Sequence, residues 1–212
     1  MATEIQGRVG PIQASDGTII DPRLTKDGAV LVQEGNGRYY ELAYRQQLFV
    51  ASTAIAGVAV VAANASPLAP GTGVPLVGIF NPVGSKVNLV VIKVRVWTVS
   101  GTPAGPAAWN VIPANAGITA AGVQGLAAAT FVAGGIGRAY VNVALTGSAQ
   151  AVMLRAIGGP AAVAVGAGNY TVEEVTDGGI VIPPGAFAGV ALTGAGTTHV
   201  AGASVTWAEL PI

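Results

Sequence analysis

Residues 85–100 read SKVNLVVIKVRVWTVS, and this stretch decides the fold class. Val90, Ile92, Val94 and Val96 fall on one parity, while Lys93, Arg95 and Trp97 fall on the other. The apolar period is two, which belongs to a strand and not to a helix of period 3.6. One buried face and one partly wet face suit a sheet packed on one side. Residues 138–145 (RAYVNVAL) repeat the pattern: Ala139, Val141, Val143 and Leu145 are expected to face in, and Arg138, Tyr140 and Asn142 to face out.

Working outward, further strands are expected at 48–63 (two, broken near Gly57), 74–80, 107–112, 149–157, 170–175, 186–193 and 198–210. Gly and Pro clusters at 67–73, 101–106, 158–160 and 183–185 separate them. Eight or nine strands over 47–212 is the count of an antiparallel jelly-roll β-sandwich. An immunoglobulin-like sandwich is the weaker alternative, being nearer 100 residues. The Ala-rich stretch 118–133 leaves a short helix and irregular structure equally open, because Gly122 and Gly125 interrupt it and Gly134 and Gly135 follow. Residues 48–63 are uncharged and nearly long enough for a membrane helix. Ser52, Thr53 and Gly57 dilute the run and Pro67 and Pro70 follow it, so a buried strand pair is the expectation.

Eleven of the 20 charged residues lie in the first 45, which places a boundary near residue 46. The expected organisation is therefore 1–46 as an N-terminal arm and hairpin and 47–212 as the sandwich. Turn signals at Asp16-Gly17, Asp27-Gly28 and Asn36-Gly37 punctuate the first part. The last of them, between AVLVQ and RYYEL, reads as a β-hairpin, and residues 1–25 as an extended arm with no face to bury by itself. The start, MATEIQGRVG, does not read as a secretory signal, so synthesis in a cytoplasm is expected.

Composition excludes several chemistries. Charged residues make up 9% of the chain, and ten basic side chains balance ten acidic ones, so no net field draws nucleic acid or an anionic membrane. So few charges point to a surface covered by other protein, the alternative being one made polar by Ser, Thr, Asn and exposed backbone. With no cysteine and one histidine, His199, neither thiolate chemistry nor a two-His site can be built from one chain, and a Ser/His/acid site would rest on His199 alone. His199 reads as a turn or surface residue at the start of the last strand. Gly84-Ser85-Lys86 has the wrong order for a phosphate loop, and Gly134-Gly135-Ile136-Gly137 lacks the dinucleotide spacing. Glu173, Glu174 and Asp177 form the local acidic cluster outside the arm, a solvated strand end in preference to a weak calcium site. Trp97, Trp109 and Trp207 read as core or interface anchors. The expectation is no enzyme, no metal, no cofactor, no small-molecule substrate, no membrane and no nucleic acid.

Three segments carry a resemblance to jelly-roll capsid decoration (cement) proteins of tailed bacteriophages. They are 17–45 (GTIIDPRLTKDGAVLVQEGNGRYYELAYR), 79–97 (IFNPVGSKVNLVVIKVRVW) and 179–212 (GIVIPPGAFAGVALTGAGTTHVAGASVTWAELPI). The resemblance implies a homo-oligomer, a trimer, on the outer surface of a virion, gluing neighbouring major capsid protein subunits together. Ile19, Ile20, Leu24, Ala29, Val30, Leu31, Val32, Tyr39 and Tyr40 are the expected capsid or subunit contacts. The alternative is a head- or tail-fibre protein that binds a host glycan or receptor through its Gly- and Pro-rich loops.

Overall fold

A computed structural model describes residues 39–103, 105–114, 118, 123–145, 150–158, 170–194 and 198–212. The chain divides into two units, Met1–Tyr40 and Glu41–Ile212. The elements in chain order are a helical turn α1 (Tyr40–Tyr44) and strands β1 (Leu48–Ser52), β2 (Val58–Ala59), β3 (Val77–Phe80), β4 (Val87–Ser100) and β5 (Ala107–Ile112). After these come β6 (Val123–Ala127), β7 (Ala133–Tyr140), β8 (Val152–Gly158), β9 (Tyr170–Ile182), β10 (Phe187–Leu192) and β11 (Val200–Pro211). The fold is antiparallel all-β, with one sheet curled nearly into a barrel.

The strand order is β8-β5-β10-β3-β7-β6-β1-β11-β4-β9, with β2 paired to the start of β11. Every strand pairing in it is antiparallel. The order places two four-stranded arrays, β1-β11-β4-β9 and β3-β10-β5-β8, on either side of the β6–β7 hairpin. Their inner faces share the main core, where Trp109 and Trp207 are fully buried. Burying one aromatic of that size contributes about 2–3 kcal/mol. Phe49 stacks on Trp207 with ring centroids 5.9 Å apart.

A second core lies around Phe80, Tyr140 and Phe187, with Leu68 and Leu145 from the connecting segments packed against them. Phe187 meets Tyr140 edge to face. Its ring lies over the paired Gly78 and Gly189, where a Cβ on either strand would collide with it. Asn110 and Asn64 hold the segment between β2 and β3: Asn110 Oδ1 accepts from Ser66 Oγ at 3.0 Å, and Asn64 Nδ2 donates to the Val74 carbonyl at 2.8 Å.

The structure corrects several sequence expectations. The alternation read through residues 85–100 changes sides at a bulge: Leu89 and Val91 are buried before Ile92, and Val94, Val96 and Thr98 after it. Val90, expected inside, is therefore only half-buried. Residues 176–179 bulge opposite Ile92, between the pairs Val91↔Ile180 and Lys93↔Val175, with Asp177 and Gly178 at positive φ. The Asp177-Gly178 signal thus marks a bulge inside one long strand and not a strand end. Strand β7 stops at Tyr140, which is buried because loops cover its face, while Val143 is 51% exposed. Residues 123–127 form a strand where a helix had been an option. Tyr40–Tyr44 is helical, so the downstream half of the expected hairpin is not a strand. Its upstream half and the extended arm lie outside the described residues. Residues 48–63 hold β1 and β2, and no helix among the described residues is long and apolar enough to cross a membrane.

Candidate functional site

The two ends of the strand order, β8 and β9, meet at a flank where no further strand pairs with either among the described residues. Here the interior opens into a cavity of about 590 Å³. Val111, Val152, Leu154, Val181, Ile182 and Phe187 are among its walls, and the lining is almost wholly aliphatic. Strand β8 is exposed along most of its length, with Val152 at 60%, Met153 at 49% and Leu154 at 50%. Val152 and Met153 pair in register with Val111 and Asn110, and a bulge then displaces Leu154 before Arg155 pairs with Trp109.

One polar link spans the flank. Trp109 Nε1 donates to Glu174 Oε2 at 2.7 Å, and the Arg155 guanidinium pairs with the other carboxylate oxygen. Glu173 points to the opposite face of β9, where Arg95 of β4 holds its carboxyl below the usual carboxylate range. The acidic pair is thus split between two faces by the strand's period of two. Among the described residues no three His, Cys, Asp or Glu side chains gather as metal ligands.

Two buried polar groups lie elsewhere. Glu209 on β11 accepts from the backbone N–H of Ile136 at 2.9 Å and of Gly137 at 2.8 Å, and from Trp207 Nε1 at 3.3 Å. His199, expected at the surface, is 1% exposed. Its Nε2 lies 3.2 Å from Thr98 Oγ1, its Nδ1 has no partner, and burial lowers its pKa.

Of the expected contact residues, Ile19, Ile20, Leu24, Ala29, Val30, Leu31 and Val32 lie outside the described residues. Tyr39 is half-buried and Tyr40 is 51% exposed. The apolar edge of β8 was expected only as an ordinary strand. Its signal was present in AVMLRAI, residues 151–157, which is apolar on both parities with one charge.

An apolar cavity beside a strand edge with no second partner among the described residues can seat apolar groups. It offers little to a charged or phosphorylated ligand. No family model, curated protein or solved structure matches this chain.

Proposed function

We propose that this chain is a capsid decoration protein, a jelly-roll sandwich on the outer surface of a virion that stabilises contacts between major capsid protein subunits. The strand order supports the jelly roll. Arrays β1-β11-β4-β9 and β3-β10-β5-β8 are those that two nested Greek keys produce, with the β6–β7 hairpin inserted between their edges.

The observation that carries the assembly role is the exposed apolar flank of β8 in a chain with 9% charged residues. Surface of this kind is stable in water when protein covers it. The capsid as the partner follows from the resemblance of residues 17–45, 79–97 and 179–212, and a trimer is the oligomer that it implies. In this reading the chain works as a passive clamp: the sandwich supplies bulk, and the N-terminal residues reach the capsid surface. Twenty-five extended residues span up to about 80 Å, enough to cross a subunit boundary.

Deletion of residues 1–25 tests the reading. Attachment to particles lacking the protein should be lost, with the urea unfolding midpoint of the sandwich unchanged. Retained attachment by a folded deletion variant contradicts it.

A further inference from the structure

At the end of β11 away from Glu209, the strand begins beside a buried imidazole. His199 is the one histidine of the chain, and Thr98, its neighbour on β4, is fully buried as well. Thr98 Oγ1 meets Nε2, while Nδ1 has no partner among the described residues. A neutral ring donates from one nitrogen only. An imidazolium donates from both, and it brings a charge into an apolar site.

That charge would go unanswered. Apart from His199, no residue is charged between Arg45 and Lys86, between Arg95 and Arg138, or between Asp177 and Glu209. These stretches supply β2, the end of β4, β5, β10 and β11 up to Ala208. On β4, Lys93 and Arg95 alternate with the buried Val94, Val96 and Thr98, and Arg95 pairs with Glu173 in solvent. On β9, Glu174 is engaged by Trp109 and Arg155. It stands four residues, about 13 Å, along the strand from Tyr170, the register partner of Thr98. Arg138 and Glu209 belong to the other end of β11, where Gly137 packs on Trp207.

The element that closes this end is weakly held. Strand β4 pairs with β11 from Val200 to Pro211, whereas β2 pairs with it only at Val200 and Ala201. One more bond runs from the Val60 N–H to the His199 carbonyl at 2.8 Å, so β2 leads directly onto the histidine. Gly57, at φ +70°, lets the preceding turn lie against the Ala201 carbonyl, and Ile55 and Val61 on either side of β2 are exposed.

We propose that His199 is an acid-operated latch: when its ring takes up a proton, residues 54–61 detach from the start of β11 while the rest of the sheet stays paired. The shortest pairing gives way because it has the fewest hydrogen bonds to lose. In the open form both ring nitrogens donate to water, and Val58, Val60 and one edge of β11 are uncovered. Burial lowers the pKa of the closed form, so the proton goes to the open form. The ratio of open to closed then rises by up to about tenfold per pH unit below 6.5. The device belongs to the sheet and stands whether or not the chain decorates a capsid.

Hydrogen exchange of the full chain, read by mass spectrometry at pH 7.5 and 5.5 and corrected for intrinsic amide rates, tests it. Peptides covering 54–61 should exchange up to about tenfold faster at pH 5.5, with β5 and β10 unchanged. Acceleration spread over all strands would mean that the whole fold loosens, and none in 54–61 would mean that no latch opens. Either result overturns the proposal. His199→Gln cannot titrate and should abolish the acid effect; an effect that survives the substitution also overturns it. Should that variant fail to fold, the single imidazole resonance of the unaltered chain carries the same test. It should titrate over the pH range in which residues 54–61 begin to exchange, and titration without faster exchange contradicts the latch.

Discussion

Between β1 and β3 the sheet is bridged by the β6–β7 hairpin, and a buried carboxylate, Glu209, gathers two backbone N–H groups of β7 and the Trp207 indole. Between β8 and β9 a cavity stays open, and Glu174 alone links Trp109 to Arg155 across it. One flank is completed within the chain by ladder hydrogen bonds and by the Glu209 carboxylate. The other ends in an aliphatic edge that is tolerant of what it meets. The contrast separates a flank sealed by the described residues from one that they leave open.

The largest effect is expected on the closed flank. Glu209→Ala strands the N–H groups of Ile136 and Gly137 and the Trp207 indole, and should cost about 3 kcal/mol in urea unfolding. A loss below about 1 kcal/mol would mean that water reaches the hairpin and that this flank is not sealed. On the open flank, Trp109→Phe keeps most of the ring and removes one hydrogen bond to a half-buried carboxylate. A smaller loss, about 1–2 kcal/mol, is expected there. If the two losses come out equal, the contrast between the flanks fails.

The third effect is confined to acid. Burial holds the His199 pKa below 6.5, so well above that pH the ring is neutral in both states and adds no pH dependence. As pH falls below 6.5 the unfolded chain takes up a proton that the folded chain refuses, and stability declines. Unfolding midpoints measured between pH 7.5 and 5 should fall, and His199→Gln should flatten the decline. The smallest effect is expected for Arg95→Ala. Its pair with Glu173 lies in solvent on the outer face, and the unfolding midpoint should not move measurably.

Much of the fold is legible because strand periodicity is local. Residues 107–112 form β5 as expected, 85–100 and 186–193 contain β4 and β10, and 198–210 hold all of β11 but its last residue. The failures arise where tertiary structure intervenes. Parity in β4 changes at Ile92 because β9 bulges against it, which no reading of β4 alone reveals. Tyr140 is buried by loops remote in sequence, and residues 123–127 form a strand because β1 and β7 flank them. The candidate flank was less legible still. Which strands end a sheet is settled by the order of all of them, and that order is long-range. The side chains nearest to chemistry, Glu173 and Glu174, adjoin in sequence but act on opposite faces.

If the chain decorates a capsid as proposed, it is present across the whole lattice. The number of copies per purified virus particle, measured by quantitative mass spectrometry against the major capsid protein, decides this. Hundreds of copies per particle are predicted. A few tens or fewer, or absence from particles, would contradict the account.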